Sequence, residues 1–452
     1  MNVPEQYMQN MQKLLGNDFD AYAASFDKPP CHGLRVNLLR KDARLRVSKL
    51  PFILGKIPFD QNAFYTDGSM NPAKHPYYAA GLYYLQEPSA MLPAACLPVE
   101  EGDVVLDLCA APGGKATALL SKLNGTGLLL ANDISASRAK ALLKNLELTG
   151  AANFFVSAEK PAKLAMSYGP VFDKILVDAP CSGEGMFRRD PSLIRDWEKK
   201  GPSYYAPIQA DILQEAVSML KPGGYLLYST CTFAPLEDEE QILKLLRDNP
   251  QLHPVPLEKT DGLSDGIRGL PEAVRAYPHR FHGEGHFLCL LQKETGDTRE
   301  ARSETFLSDH KGQMPNSLLT FLDQLTEPLD ADRIVIKNGC VYLLPEKYEK
   351  LYRSNIRFLR TGLLLGETDA KGNFKPSQAL ALHLHADGFT QVLDMPLEDE
   401  RIFRYLKGET VYADEGCKNG TVLFCADGYA LGFASANNGQ IKNRLAKGFI
   451  WQ

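Results

Sequence analysis

Two cysteines stand directly after apolar runs that read as β-strands. Cys181 lies in the segment DAPCSGEG (178–185), and Cys231 lies in the segment STCTF (229–233). An open α/β sheet binds its ligands at the carboxyl ends of its strands. A cysteine at such a position, close to cationic groups, can ionise to a thiolate and act as a nucleophile. The sequence therefore predicts thiol-based covalent catalysis at this edge of a sheet.

A glycine turn lies upstream of both cysteines. The segment CAAPGGK (109–115) follows the apolar run 104–108 and leads into a helical segment. Glycines let a backbone approach a ligand closely, and a helix N-terminus favours negative charge. A P-loop is excluded, because position 109 is Cys and position 116 is Ala, and the dinucleotide pattern GxGxxG is absent. The turn therefore predicts a site for a smaller adenosine ligand without a pyrophosphate.

Asp133 is the candidate ribose ligand. It follows the second apolar run, 127–132, at the position where Rossmann-like sheets place an acid that binds ribose hydroxyls. The alternative is that Asp133 only caps the helix that begins near Ala136. The spacing from the glycine turn favours the ribose role.

Composition describes an ordinary soluble globular protein. The chain has 452 residues, is 44% hydrophobic and carries a formal net charge of −5. This charge does not indicate a nucleic-acid binder by itself, so any basic surface must be local. Nine cysteines form no CxxC pair, which argues against a zinc site or a disulfide framework, and no metal is predicted. The start of the chain lacks a secretory signal and no apolar run reaches ~20 residues, so we expect a cytoplasmic protein.

The region from Asp103 to Gln292 alternates strand and helix patterns, which predicts a doubly wound α/β sheet. The predicted helices span 136–148 and 208–220, and the predicted strands span 104–108, 127–132, 153–156, 174–177 and 225–229. We predict four segments around this pattern. They are an N-terminal extension (1–95), the α/β core (96–295), a polar linker (296–316) and a C-terminal region (317–452) with weaker strand signals.

Taken together, these segments resemble the RNA cytosine-C5 methyltransferases of the Sun/Nop type. The matching core motifs are CAAPGGK (109–115), NDIS (132–135), DAPCSGEG (178–185) and STCTF (229–233). The form GEGMFRRDP (183–191) and the long carboxyl region are similar to the bacterial 16S ribosomal RNA methyltransferase F branch of that family. The resemblance implies a Rossmann-like core that uses S-adenosylmethionine, an N-terminal α+β RNA-binding extension and a C-terminal PUA-like α+β region.

The resemblance also implies roles for individual residues. Cys231 would be the nucleophile, Cys181 would assist breakdown of the covalent adduct, and Asp178 would hold the base with Lys115 as its partner. From the residues alone Cys181 is the stronger candidate nucleophile, because a Pro-Cys pair also carries that role in DNA cytosine methyltransferases. The implied cofactor site comprises Cys109, Ala110, Ala111, Pro112, Gly113, Gly114, Lys115, Asp133, Arg138, Glu159 and Asp178.

Three further assignments stay open at this stage. Glu159 is the candidate acid for the adenine amino group, or else an exposed residue that opens a helix. Arg188 and Arg189 either contact RNA phosphates or belong to a solvated loop. The tail residues Lys442, Arg444 and Lys447 have the same two interpretations.

A basic and aromatic stretch (347–360) presents the same choice between RNA binding and solvated surface. Positions 350, 353, 357 and 360 would share one face of a helix, which would suit RNA. The segment 356–365 also reads as a strand, which would divide that face. By resemblance, a PUA-like RNA-binding module begins near Gly362.

The favoured function is methylation of cytosine C5 in 16S ribosomal RNA by a monomeric enzyme. One rival keeps the chemistry and changes the substrate to transfer RNA. A second rival, from another class, is a non-catalytic RNA-binding assembly factor. Against that rival, Cys181, Cys231, Asp178 and Lys115 are all residues competent for catalysis.

Overall fold

The computed structural model describes residues 3–297, 303–306, 314–414 and 416–451. Most of the predicted linker, residues 298–302 and 307–313, therefore lies outside the described residues. Phe306, within that predicted linker, is buried against Tyr352 at a ring-centroid distance of 4.9 Å. Among the described residues, no helix is both long and apolar enough to cross a membrane.

The N-terminal extension is an α+β unit. Its antiparallel sheet has the strand order β2-β3-β1-β4. The elements are α1 (Glu5–Leu15), α2 (Phe19–Ala24), β1 (Gly33–Val36), α3 (Ala43–Val47), β2 (Ile53–Ile57), β3 (Asp60–Thr66), α4 (Pro76–Ala79), β4 (Tyr83–Leu85) and α5 (Pro88–Cys96). Tyr7 and Tyr22, from the first two helices, are buried against Phe187 and Phe233 of the core.

The core continues the chain with alternating strands and helices. Its elements are β5 (Val104–Asp107), α6 (Gly114–Leu123), β6 (Leu128–Asn132), α7 (Ala136–Thr149), β7 (Phe154–Ser157), α8 (Pro161–Tyr168), β8 (Phe172–Asp178), α9 (Ser192–Lys199), α10 (Gly201–Met219), β9 (Leu220–Thr230), α11 (Glu239–Asp248), β10 (Leu252–Val255), β11 (Leu263–Asp265), β12 (Val274–Ala276) and β13 (His286–Lys293). Every predicted core strand is present, which confirms the predicted alternation.

The central sheet explains why the motifs meet. The strands β7-β6-β5-β8-β9 run parallel, and the strand order reverses beside β5, which lies between β6 and β8. The strand β13 is antiparallel to β9 and pairs Phe287 with Thr230. The amino end of β13 therefore lies at the same edge as the carboxyl ends of the parallel strands. We call this the catalytic edge.

Both faces of the sheet are covered by apolar side chains from helices, as a parallel sheet requires. Leu119 of α6 and Leu142 of α7 pack on one face, and Leu164 of α8 and Ile212 of α10 pack on the other. The core is thus a doubly wound α/β layer, as the sequence predicts.

The C-terminal region is also α+β. Its sheets have the orders β14-β15-β17-β18 and β19-β21-β22-β23-β20. The elements are α12 (Asn316–Leu322), β14 (Ile334–Lys337), β15 (Cys340–Leu343), β16 (Phe358–Thr361), β17 (Leu363–Thr368), β18 (Phe374–Pro376), α13 (Gln378–His383), β19 (Val392–Met395), α14 (Glu400–Leu406), β20 (Val411–Tyr412), β21 (Gly420–Ala426), β22 (Tyr429–Asn437) and β23 (Gln440–Asn443).

The strand β16 leaves the C-terminal region and extends the core sheet by pairing antiparallel with β7. The helical face predicted through positions 350, 353, 357 and 360 is therefore wrong, and the strand interpretation is confirmed. The sequence alone could not separate the two patterns. Arg353 is buried with its guanidinium 4.9 Å from the Tyr168 ring, and Arg360 is buried in an ion pair with Glu147 at 2.7 Å.

A buried ion cluster attaches the antiparallel strands to the start of α11. Arg275 of β12 is fully buried and donates Nε to Glu239 at 2.7 Å. Its Nη2 also lies 3.2 Å from Asp238, and its Nη1 donates to the Phe233 carbonyl at 3.0 Å. Because Phe233 lies two residues after Cys231, this cluster also supports the cysteine loop.

Removing Arg275 should leave two buried acids without their counter-ion. We expect Arg275→Met to destabilise the protein by about 3–5 kcal/mol, the cost of breaking a buried ion pair from one side. The control Arg268→Met removes a half-exposed arginine paired with Glu240, and should cost under about 1 kcal/mol. Urea denaturation followed by circular dichroism measures both. Equal losses in the two variants would contradict a special role for the buried cluster.

Candidate active site

Four elements meet at Asp178, the last residue of β8. Lys115, in the first turn of α6, donates Nζ to one carboxylate oxygen at 2.6 Å. Ser229 of β9 donates Oγ to the other oxygen at 2.8 Å. His286, the first residue of β13, places Nε2 3.4 Å from that same oxygen. The structure thus joins Lys115 and Asp178 as the sequence predicts.

The ion pair fixes the charge state of this centre. Burial by itself would raise the pKa of Asp178, but the Lys115 ammonium and the His286 hydrogen bond outweigh it and hold the pKa below its usual range. Burial would likewise lower the pKa of Lys115, but the Asp178 carboxylate reverses the effect and raises it. The site therefore presents a carboxylate that can only accept hydrogen bonds, next to an ammonium that can supply a proton.

The two predicted cysteines lie side by side. Cys181 follows β8, Cys231 follows β9, and their sulfur atoms are 3.3 Å apart. The hydrogen bond to Cys231, together with burial, raises the pKa of Cys181 well above its usual range. Lys115 also interacts electrostatically with Cys231. The contact therefore keeps Cys181 protonated, with its thiol next to the Cys231 sulfur.

A buried carboxylate, Glu237, locks the two cysteine loops together. It accepts a hydrogen bond from the Ser182 backbone N–H at 2.9 Å, and the Ser182 hydroxyl also donates to it. Gln209 of α10 donates Nε2 to the same carboxylate at 2.9 Å. The Ser182 and Thr232 hydroxyls lie 2.8 Å apart. Each cysteine is therefore followed by a residue of one shared hydrogen-bond network.

A second buried carboxylate, Glu184, reinforces this lock. It accepts from the Phe233 backbone N–H at 3.0 Å and from Trp197 Nε1 at 2.9 Å. Gly185 donates its N–H to the Cys231 carbonyl at 2.9 Å. A Cβ on Gly185 would lie 2.9 Å from the Gly285 carbonyl and 3.1 Å from the Cys231 carbonyl. The glycine in the predicted motif is therefore required by the close approach of two loops.

The turn at 109–115 fits the cofactor that the sequence predicts. Gly113 has φ = +117°, and a Cβ on Gly114 would approach the Gln86 side chain at 2.9 Å. Asp107, just before the turn, is buried, and its carboxylate has no side-chain hydrogen-bond partner among the described residues. Burial raises the pKa of Asp107 to about 8. A buried acid without a side-chain partner, beside an open glycine turn, suits the ammonium or sulfonium group of S-adenosylmethionine.

Asp133 lies where the predicted ribose role requires an acid, but it is not the helix cap, because the N-cap of α7 is Ser135. It is buried directly after β6 and accepts the Ser135 N–H at 2.9 Å, as a residue before a helix does. Its other oxygen lies 3.3 Å from Arg138, which also donates to the Ala111 carbonyl at 2.8 Å. Asp133 and Arg138 are thus assembled against the glycine turn, where a ribose would bind.

Glu159 is placed differently from the other candidate cofactor ligands. One of its oxygens accepts the Arg357 backbone N–H at 2.8 Å and the Lys163 ammonium at 2.6 Å. Its backbone instead faces Asn132, whose side chain bonds both the N–H and the carbonyl of Glu159 at 3.0 Å. The carboxylate therefore connects the core to the segment before β16.

The candidate RNA-binding arginines differ in their surroundings. The Arg188 side chain is 8% exposed and donates to Glu284 at 2.7 Å, to the Ser25 carbonyl and to the Gly283 carbonyl. These contacts make Arg188 an internal cross-link between loops, which corrects its predicted phosphate contact. Arg189 is exposed at the surface and donates to the Cys31 carbonyl at 3.0 Å.

The tail candidates are at the surface, as a phosphate contact requires. Lys442 lies in β23, and Arg444 and Lys447 follow it, all three exposed. Among the described residues no group of three or more potential metal ligands comes together.

Sequence reasoning missed several residues of the site. His286 reaches Asp178 only because β13 is antiparallel to β9, and no spacing along the chain reveals this. Glu237 and Ser229 lie within or just after the STCTF motif, but nothing in the sequence says which partners they meet. Asp107 could have been found from the sequence, because it lies inside the predicted strand 104–108, just before the glycine turn, and it is the last residue of β5.

Burial raises the pKa of Glu237 to about 7, which gives the site a measurable pH dependence. An acid whose pKa is raised in the folded state contributes its stabilisation at low pH and loses it as pH rises through the folded pKa. Between pH 5 and 8 we expect the wild type to lose about 2–3 kcal/mol more than Glu237→Gln. Denaturant unfolding at each pH measures the difference. The exposed control Glu198→Gln should follow the wild type, and an identical pH slope in Glu237→Gln would refute the assignment.

Comparison with known protein families covers most of the chain. Residues 94–292 match the family described as 16S rRNA methyltransferase RsmB/F, and residues 3–88 match the N-terminal domain of 16S rRNA methyltransferase RsmF. Residues 320–384 match the RsmF rRNA methyltransferase first C-terminal domain, and residues 392–451 match the methyltransferase RsmF PUA domain. The PUA match begins at residue 392, thirty residues after Gly362, so the start that the resemblance implied is wrong. Residues 362–384 belong instead to the match with the first C-terminal domain.

Individual relatives align with this chain over nearly its whole length. The chain is similar to the ribosomal RNA small subunit methyltransferase F of Vibrio atlanticus (strain LGP32), with 28% identity over 99% of this chain and 98% of that protein. The protein of that name from Erwinia tasmaniensis is 29% identical over 99% of this chain and 96% of its own length.

Solved structures support the fold. A methyltransferase homolog protein from Pyrococcus horikoshii is 27% identical with a TM-score of 0.56, covering 65% of this chain and 96% of that one. NSun6 from Pyrococcus horikoshii with SFG has a TM-score of 0.57 at 22% identity, covering 65% of this chain and 99% of that one. With four matching domains in the expected order around the cysteine and glycine motifs, this chain belongs to the RsmB/F family of S-adenosylmethionine-dependent rRNA methyltransferases.

Proposed function

We propose that this protein methylates C5 of a cytosine in 16S ribosomal RNA, using S-adenosylmethionine, through a covalent bond between Cys231 and C6 of the base. The observation that carries the proposal is the pair of thiols 3.3 Å apart beside the Asp178–Lys115 ion pair. Cytosine C5 is a weak nucleophile, so a thiolate must first add to C6 to give C5 enamine character. The site assembles a thiolate, a proton donor and a carboxylate for that addition.

The Asp178–Lys115 pair stabilises the charge that develops on the base when the thiolate adds to C6. Attack at C6 moves electron density towards N3, which then requires a proton. Lys115 holds a proton 2.6 Å from Asp178 and passes it to N3 as the negative charge develops there. The Asp178 carboxylate accepts a hydrogen bond from the amino group of the base and, once N3 is protonated, from the N3–H. Ser229 and His286 keep the carboxylate in place while the base is bound.

The two cysteines act at different steps. Cys231 forms the bond to C6, and S-adenosylmethionine, when bound, supplies the methyl group that C5 accepts. C5 then loses its proton to solvent and N3 returns its proton to Lys115. The bond between C6 and the Cys231 sulfur breaks, with its electron pair leaving on the sulfur, and the aromatic ring is restored. Cys181, kept protonated by its environment, assists this elimination by donating to the departing Cys231 sulfur. This division of steps follows the family resemblance, and the interaction of Lys115 with Cys231 supports it over the Pro-Cys alternative.

The cofactor site in this proposal comprises the turn 109–115 with Asp133 and Arg138. Asp133 binds the ribose hydroxyls, and Asp107 meets the positive charge of the ligand. Glu159 joins the site only through the oxygen that Arg357 and Lys163 leave available.

The accessory units are proposed to hold the RNA. We retain the boundaries 1–95 and 96–295 for the first two units and 317–452 for the C-terminal region, with 296–316 as the linker. Arg189 and the tail residues Lys442, Arg444 and Lys447 are the proposed phosphate contacts. A cytoplasmic, monomeric enzyme acting on the small-subunit RNA completes the proposal.

Bisulfite sequencing of total RNA from cells with and without the gene tests the substrate. We expect a 5-methylcytosine in 16S RNA that disappears with the gene. Loss of a 5-methylcytosine from transfer RNA instead would change the substrate class. If no methylated cytosine is lost, the protein is an RNA-binding assembly factor, and the enzymatic proposal is rejected.

The cysteine assignment predicts two different mutant phenotypes. Cys231→Ser should form no covalent RNA adduct, because a serine hydroxyl is a poor nucleophile at neutral pH. Cys181→Ser should still attack and transfer the methyl group, and then stall. Denaturing gel electrophoresis with labelled S-adenosylmethionine should show a protein–RNA band for Cys181→Ser only.

Two controls complete this experiment. The double variant should behave as Cys231→Ser, because the earlier step is blocked, and Cys417→Ser, in the C-terminal region, should behave as the wild type. Trapping by Cys231→Ser with none by Cys181→Ser would reverse the assignment.

The cofactor assignment predicts that S-adenosylmethionine binds in the absence of RNA. Asp133→Ala should weaken this binding by roughly 1–3 kcal/mol, the cost of leaving buried polar groups unpaired. Asp190→Ala is the matched control, since Asp190 makes the same short turn by accepting the Ser192 N–H at 3.0 Å. Isothermal titration calorimetry measures both variants. Unchanged affinity in a folded Asp133→Ala protein would remove Asp133 from the cofactor site.

A further inference from the structure

A cavity of about 340 Å³ lies where the C-terminal region joins the core sheet. It is separate from the cysteine site and is bounded by β14, β15, the segment 352–357 and β16. Its cationic and aromatic lining residues, on which the argument depends, are Lys337, Arg357, Arg360, Phe306, Tyr342 and Phe358.

The lining is positively charged. Among the described residues that line the cavity, three are Lys or Arg and none is Asp or Glu. Arg360 is neutralised by its buried ion pair with Glu147. Arg357 is exposed, and its backbone N–H, not its side chain, bonds Glu159. The Lys337 ammonium lies 4.7 Å from the Phe306 ring centroid. Glu304, which accepts the Ser354 backbone N–H at 2.8 Å, offsets part of this charge. Lys337 and Arg357 still give the described lining more cationic than anionic groups, on a surface of aromatic, aliphatic and small polar residues.

The aromatic rings are held rigidly. Phe358 packs against Phe155 of β7 with ring centroids 5.3 Å apart, and stacks on Tyr352 at 6.0 Å. Tyr342 is half-buried beside them on β15. Phe306 and Tyr352 are buried and support the site from below. Phe358, fixed by these contacts, and Tyr342 are half-buried, and these two rings offer stacking surfaces to the cavity. Aromatic faces combined with cationic groups are what proteins use to bind unpaired nucleotides.

The position of the cavity relates it to the catalytic edge. The strand β16 begins at Phe358, opposite Ser157 at the carboxyl end of β7, so it starts at that edge. Five strand spacings separate β16 from β9 in the sheet order, or roughly 24 Å at ~4.8 Å each. A single RNA strand lying along the edge can therefore reach both places.

We infer that this cavity binds an unpaired nucleotide of the substrate RNA, with its base on the aromatic rings and its phosphates at Lys337 and Arg357. The inference rests on the proposed function for the identity of the RNA. The junction between the core and the C-terminal region would then contact the substrate RNA, in addition to the cysteine site and the tail. A base held here would set the distance along the strand to the target cytosine.

Two sets of variants test the inference. The double variant Lys337→Ala/Arg357→Ala removes the phosphate contacts, and Tyr342→Ala removes a stacking ring. Lys244→Ala, on the exposed side of α11, and Tyr225→Ala, a half-buried tyrosine of β9 away from the cavity, are the matched controls. Tyr342→Phe keeps the ring, so it should retain wild-type affinity if stacking is what matters. Circular dichroism and thermal denaturation verify that each variant is folded.

Binding to protein-free 16S RNA is measured by fluorescence anisotropy across a salt series. We expect Tyr342→Ala to raise Kd about tenfold. The double variant should reduce the slope of log K against log salt by about 0.7 for each lost single-strand phosphate contact. In methylation assays KM for RNA should rise while kcat stays unchanged, since the cysteine site is intact.

The outcomes separate this inference from the proposed function. If the wild type methylates 16S RNA while the variants keep its Kd and salt slope, the cavity does not bind RNA. If the variants lose affinity for the assembled small subunit but not for the naked RNA, the surface contacts a protein, and the inference is also overturned. If the variants lose RNA affinity but the wild type transfers no methyl group, the cavity assignment holds and the proposed function fails.

Discussion

The half-buried ion pair between Lys115 and Asp178 is the interaction on which the geometry of the site depends. Its partners come from the helix after β5 and from the end of β8, and Ser229 and His286 add contacts from β9 and β13. A buried charge without its partner is costly, so these elements must meet in one arrangement. The pair also sets the protonation states, because each charge shifts the pKa of the other.

The cysteine pair is positioned by hydrogen bonds to buried side chains rather than by an ion pair between the reacting groups. Two short loops carry the thiols, and two buried acids, Glu184 and Glu237, hold those loops by accepting hydrogen bonds from backbone N–H groups. Arg275 adds a third support through the Phe233 carbonyl. Loops held this way keep the sulfur atoms 3.3 Å apart. The chemistry proposed for Cys181, donation to the sulfur of Cys231, needs that proximity.

The accessory units are continuous with the core. Arg35 of β1 donates to the Gly114 carbonyl at 3.0 Å and to the Thr117 hydroxyl at 2.7 Å, so the N-terminal unit braces the glycine turn itself. Glu87 accepts the Glu284 N–H at 2.8 Å, just before His286. On the opposite side, β16 extends the core sheet. Units proposed to bind RNA are therefore fixed relative to the cysteines, which lets a distant contact select the target base.

The sequence by itself determined the chemistry and the core. Apolar runs and glycine turns gave the alternation of strands and helices, because buried parallel strands read as continuous apolar segments. The carboxyl ends of those strands share one edge of the sheet. The sequence therefore predicted that CAAPGGK, Asp133, DAPC and STC lie close together. Functional residues that directly follow a predicted strand can therefore be found from the sequence pattern.

Only the tertiary structure decided which partners those residues have. His286 reaches Asp178 because β13 runs antiparallel to β9. The direction of a strand within a sheet cannot be inferred from the local sequence pattern. Arg188 and Arg360 read as surface charges but are buried in ion pairs, because a charge pattern does not reveal an acid distant in sequence. The stretch 350–360 fitted both a helix and a strand, and pairing with β7 selected the strand. Long-range pairing and burial decided these points, and both depend on contacts between segments far apart in the chain.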